Sequence, residues 1–94
     1  MLTIRIEHKI SSYDAWKKAF DNDPINRKNS GVKHYRIFRP EDDDKYIVID
    51  LDFEDPVQAK ATQAALNKMF GNLEGNLIFG AKVKVLSLVE TASL

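Results

Sequence analysis

The 94-residue chain contains no cysteine, which removes disulfides, thiolate zinc sites, thiol nucleophiles and CxxC metal-transfer loops from the chemistry open to it. An excess of charge is missing too: 14 Lys and Arg balance 14 Asp and Glu, so no net field draws the chain to nucleic acid or to an anionic membrane. No stretch approaches the roughly 20 apolar residues of a membrane span. The opening MLTIRIEHK alternates apolar and charged side chains and so lacks the uninterrupted apolar core of a signal peptide. A cytoplasmic protein with no nucleic-acid and no membrane partner is the expectation.

With two histidines and no His-x-x-x-His or Glu-x-x-His spacing, no metal site is expected. The acidic run Glu41 to Asp44 lacks the alternating ligands and glycine of a calcium loop and reads as a solvated turn. GxGxxG, P-loop and GxSxG motifs are all missing, which leaves nucleotide binding and serine hydrolysis without support; no cofactor is expected. The stretch HYRIFRP lacks the glycine pattern of the ferredoxin-like RNA-binding module.

What is present is an ordinary globular composition, 44% hydrophobic and 30% charged, in a single domain spanning 1–94. A chain this short buries only about 60 to 65% of the surface of its unfolded form, so a second subunit would help it. Residues 2 to 10 alternate with period two, placing Leu2, Ile4, Ile6, His8 and Ile10 on one face of a first strand. Ser11 or Ser12 caps a helix with Tyr13, Trp16 and Phe20 at i, i+3 and i+7, ending near Asn22. Asp23-Pro24 opens a short turn closed by Gly31.

VKHYRIFR and KYIVIDLDF are strands joined by a PEDDD hairpin loop. Asp55-Pro56 starts a second long helix, expected to stop by Gly71 and to bend near Asn67, where its apolar positions change side. GNLEGNLIFG reads mostly as loop, and AKVKVLSLVE as the last strand. The order β-α-β-β-α-β predicts an α+β, ferredoxin-like layer: a four-stranded antiparallel sheet, strands one and three central, both helices on one face.

Such a sheet leaves one face uncovered. Thr3, Arg5, Glu7 and Lys9 lie there from the first strand, with Tyr46, Val48, Asp50 and Asp52 from the third. The last strand carries apolar residues on both sides, Val83 and Val85 against Leu86 and Leu88, which calls for a second protomer on the open face. A cross-strand pair of Arg5 and Asp50, walled in by that partner, would lie in a cavity of reduced dielectric. Charges on a half-open sheet also serve simply as a solvated face.

Trp16, the only tryptophan, belongs to a stripe spaced for packing on the first strand. His8 points the same way, either satisfied by a backbone group or Ser12, or free to act as a base. On the second strand, either Val32, His34, Arg36 and Phe38 or Lys33, Tyr35, Ile37 and Arg39 face the cavity; parity alone allows both. The candidate ligand-lining set is Arg5, Glu7, His34, Arg36, Tyr46 and Asp50, with no catalytic residue assigned.

EHKISSYDAWKKAFD followed by GVKHYRIFR resembles the small dimeric α+β-barrel proteins related to antibiotic-biosynthesis monooxygenases, in particular a bacterial branch labelled cyclase-like. The likeness runs through His8-Lys9, Tyr13-Asp14, Trp16-Lys17, Phe20, Gly31-Val32, Arg36, Arg39 and Phe53 to Asp55, then fades after Asn67. It implies a homodimer whose sheets face each other, and a cofactor-independent monooxygenase- or cyclase-like enzyme acting on an aromatic or polyketide-like small molecule. The alternative is a non-catalytic binding or purely structural homodimer. Haem-degrading relatives use an asparagine, a tryptophan and a histidine, the last two on the second helix; this second helix has neither.

Overall fold

The computed structural model describes residues 1–94. Its elements run β1 (Leu2–Ile10), α1 (Tyr13–Asp21), α2 (Arg27–Ser30), β2 (Val32–Phe38), β3 (Tyr46–Phe53), α3 (Pro56–Leu73) and β4 (Ile78–Ser87). All strand pairs are antiparallel, in the order β2-β3-β1-β4, so β1 and β3 are central as the connectivity requires. The core lies on the helix side of this sheet. Ile4, Ile6 and Ile10 of β1 and Ile47, Ile49, Leu51 and Phe53 of β3 are buried there with Trp16, Ala59, Leu66 and Ile78.

Local chemistry accounts for the helix starts. Ser12 is extended and its Oγ accepts the Ala15 N–H at 3.4 Å, capping α1. Asp55 does the same for α3, accepting the Val57 N–H at 2.8 Å, with Pro56 at a first-turn position where a missing N–H costs nothing. Between α1 and β2 the chain takes two left-handed residues, Asp23 and Asn26, at φ 55° and 53°. Asp and Asn tolerate that region best among non-glycine residues. Asp23 also holds the Arg27 N–H at 2.9 Å, and Gly31, at φ 98°, ends the segment.

Three expectations are corrected. α3 runs without a break through Asn67 and does not stop at Gly71, but continues to Leu73. Its buried side is one stripe, Ala59, Thr62, Leu66, then Met69, Phe70 and Leu73, and the polar Thr62 disguises it in the sequence. β4 begins at Ile78 rather than Ala81 and ends at Ser87, leaving Val89 and Glu90 outside the strand. The β1–β4 register slips between Glu7 and Lys9, with Glu7 opposite Lys82 but Lys9 opposite Phe79, so β4 carries one extra residue there. Gly80 takes the left-handed φ of 66° at this bulge, and its N–H donates to Glu74 Oε1 at 2.7 Å. The alternation that defines a strand is broken at that point, which made the segment read as loop.

A second bulge divides β2. His34 and Arg36 stand opposite Asp52 and Asp50, placing them with Phe38 on the open face, whereas Val32 stands opposite the buried Phe53 and packs against the core. The set Val32, His34, Arg36 and Phe38 is therefore split by the irregularity after Val32.

Candidate functional site

The open face holds a ladder of charge. Arg5 meets Asp50 in a bidentate pair at 2.8 and 2.9 Å, and Arg36 meets Asp52 at 2.7 and 3.2 Å while standing 3.5 Å from Asp50. Thr3 Oγ1 donates to Asp52 at 2.8 Å. Both aspartates are buried, at 3% and 2% exposure, although they point away from the helices. Hydrogen bonds from the guanidinium of Arg5 hold the Asp50 carboxyl below its ordinary 3.8, and those of Arg36 do the same for Asp52. A carboxylate held so firmly ionised is a poor proton acceptor.

Tyr46 donates its hydroxyl to Glu7 Oε1 at 2.7 Å, and this bond first, burial second, pushes the phenol up to about 12. His34 lies exposed on the edge strand. Of the six residues singled out in the sequence, four form two hydrogen-bonded pairs, Arg5 with Asp50 and Tyr46 with Glu7, and a fifth, Arg36, is hydrogen-bonded to Asp52. Phe38, Phe79 and Leu86 stand exposed around them.

A partly open, mostly apolar space lies on the other side. Between sheet and helices is a cavity of about 380 Å³, within the range of small-molecule pockets. Ile6, Ile49 and Leu51 form its sheet wall; Trp16 and Phe20 of α1, and Leu66, Met69, Phe70 and Leu73 of α3, close it from above. Its polar side chains are few: His8, Asn22 and Arg27.

His8 is the group with chemistry to offer. It shares the parity of Ile4 and Ile6, so β1 carries it to the helix side, 1% exposed, next to the slip in register beside Gly80. Its ring stands 6.3 Å from Trp16 and 5.8 Å from Phe70, centroid to centroid. Nδ1 lies 3.1 Å from the Lys9 carbonyl, which can only accept, so Nδ1 carries the proton and Nε2 keeps its lone pair. That Nε2 is the one buried side-chain polar atom with no hydrogen-bond partner. Burial holds the imidazole below its usual 6.5, against smaller opposing pulls from the Lys9 carbonyl and the Glu74 carboxylate.

Sequence reading placed His8 on the correct face and left its role open, but it missed Arg27, Met69 and Phe70. The signal was available on α3: Leu66, Met69, Phe70 and Leu73 recur at i, i+3, i+4 and i+7, the spacing of one helix face.

The layer of four strands and three helical segments is a fold shared with solved antibiotic-biosynthesis-monooxygenase-like and ferredoxin-like proteins. SnoaB, a cofactor-independent oxygenase from Streptomyces nogalater, matches it with a TM-score of 0.73 at 13% identity, over 96% of this chain and 94% of its own. A MhuD variant with two manganese protoporphyrin IX bound per active site matches at 0.69 and 14% identity, over 99% of each chain. A dimeric ferredoxin-like protein from an uncultured marine organism matches at 0.69 and 10% identity, over 100% of each chain. A solved antibiotic biosynthesis monooxygenase shares the fold as well, with a TM-score of 0.68. No family model matches the chain, and no curated protein matches it in sequence. Helix lengths and hydropathy leave no helix long and apolar enough to cross a membrane.

Proposed function

We propose that the chain is a cofactor-independent oxygenase acting on an aromatic, polyketide-like small molecule bound in the helix-side cavity, with His8 as general base. The observation that carries this reading is His8, which lines an otherwise apolar cavity and keeps a buried Nε2 with no hydrogen-bond partner. Leaving a polar atom buried without a partner costs about 1–3 kcal/mol. A substrate proton supplies the missing partner.

The chemistry balances without an added redox group. Nε2 removes a proton from a methylene flanked by aromatic rings and a conjugated carbonyl, leaving a delocalised carbanion. Molecular oxygen accepts this electron pair and forms a carbon–peroxide bond; the imidazolium returns its proton to the peroxide. Loss of the second methylene hydrogen with cleavage of the O–O bond yields a ketone and water, so that the methylene and one molecule of oxygen become one ketone carbonyl and one molecule of water. The apolar walls hold the ring system and keep water from the carbanion.

A porphyrin, as bound by the MhuD variant, does not fit the groups present. The cavity offers one cation, Arg27, for two propionates. The test is oxygen uptake with a panel of anthrone-type substrates. One oxygen consumed per ketone formed is the expected result. Ligands that quench Trp16 fluorescence yet drive no uptake above the buffer rate would leave a non-catalytic binding protein.

The open face fits a second copy of the chain. Its apolar rim, Phe38, Phe79 and Leu86, surrounds charges that are already paired within each protomer, which lowers the cost of desolvating them. A dimeric protein of the same fold supports this assembly. In it Arg5, Glu7, His34, Arg36, Tyr46 and Asp50 lie at the interface rather than in the reaction cavity. Leu86→Arg adds a cation to a rim that already carries Lys84, and is expected to convert a dimer into a folded monomer in sedimentation. A wild-type chain that sediments as a monomer at its highest attainable concentration overturns the assembly.

A further inference from the structure

The cavity has two chemically distinct ends joined by an aromatic wall. At one end stands His8; Trp16 follows at 6.3 Å, Phe20 is stacked on Trp16 at 5.2 Å, and the Arg27 guanidinium lies 4.1 Å from the centre of the Phe20 ring. His8, Trp16, Phe20 and Arg27 all line the cavity. A flat polycyclic ligand laid along this wall therefore has a base at one end and a fixed cation at the other. Base and cation ask for different groups: an acidic C–H near Nε2, and an anion at the far end.

Arg27 is only partly committed within the chain. Its Nη1 donates to the Phe20 carbonyl at 2.8 Å, which fixes the head group at the cavity wall. Its acidic neighbour, Asp23, stands 3.4 Å from the same nitrogen and uses that oxygen for the Arg27 backbone N–H at 2.9 Å. The opposite edge of the guanidinium, Nε and Nη2, donates to no group of the protein. The side chain is only 16% exposed, so water cannot fully surround those donors. A planar fork held in place on one edge and open on the other is the geometry that receives a carboxylate through two parallel hydrogen bonds.

We infer that Arg27 is the specificity-determining residue of this cavity, selecting aromatic substrates that carry a carboxylate at the end of the ring system remote from the reacting carbon. This inference rests on the cavity being the substrate site. Arg27 acts on recognition and orientation and takes no part in the proton transfer.

The experiment measures binding, so that it stands apart from turnover. Trp16 is the only tryptophan and lines the cavity, and an anthracene absorbs where it emits. Titration with anthracene-2-carboxylate and with its neutral carboxamide is expected to show tighter binding of the carboxylate by about tenfold, the worth of a charge-assisted pair. Arg27→Met is expected to erase the difference with carboxamide affinity unchanged, and Arg27→Lys to retain part of it. Equal affinity of the two ligands for the wild-type protein overturns the assignment of Arg27 while leaving the cavity as a binding site. No quenching by either ligand overturns the cavity reading itself, and the inference with it. The wild-type comparison decides the matter even where a variant folds poorly.

Discussion

His8→Gln is expected to lower oxygen uptake on an accepted substrate by about a hundredfold or more, the usual worth of a positioned general base. Glutamine keeps a donor for a backbone carbonyl and loses the titratable lone pair. The wild-type kcat/KM is expected to rise with pH and to level off with a midpoint below 6.5, because burial already keeps the folded imidazole neutral where an exposed one would be half charged. The same displacement carries a stability consequence. His8 binds its proton less readily folded than unfolded, so its full contribution is present above 6.5 and is lost as pH falls from there through the folded value. His8→Leu has nothing to titrate and is expected to lose less stability across that window than the wild type, as read by urea midpoints at a series of pH values. Asp50 and Asp52 act lower, since their depressed carboxyls stabilise the fold above 3.8 and release that stability as pH falls through their folded values. A His8→Gln enzyme with the wild-type rate and pH profile would remove His8 from the chemistry.

Why the fold was legible and the site less so follows from what each depends on. Strand parity is a local property: β1 shows its two faces in nine residues, and that alone sends His8 toward the helices and Arg5 away from them. The pairing of Arg5 with Asp50 needed one further step, the adjacency of β1 and β3, which the βαββαβ order supplies. Bulges defeat this logic. One irregularity after Val32 and another opposite His8 change which residues share a face, and a single inserted residue leaves no mark in composition. A cavity is harder still, since it arises where side chains from β1, α1 and α3 fail to meet. No periodicity in any one element reports such a gap. The charges of the open face are conspicuous in sequence, whereas the space beside His8 is bounded by Leu, Met and Phe of ordinary appearance.

Phe53→Ala is expected to be the most damaging single truncation for stability, costing about 3–5 kcal/mol. Phe53 has no exposed surface and closes the end of the central strand, opposite Leu2 on one neighbour and Val32 on the other. It therefore ties three strands to the helix layer at the point where Asp55 and Pro56 turn the chain into α3. A chain of this size has roughly 5–14 kcal/mol of stability to lose, so the variant is expected to unfold more than about 12 °C earlier. Val57→Ala is the matched control, since Val57 is 75% exposed, and its expected change is within about 0.5 kcal/mol. Both are compared with the wild type at one protein concentration, because a dimer adds a concentration-dependent share to the melting temperature. Equal midpoints for Phe53→Ala and Val57→Ala would mean that the strand end repacks freely, and that the junction of sheet and α3 is not where the layer is held together.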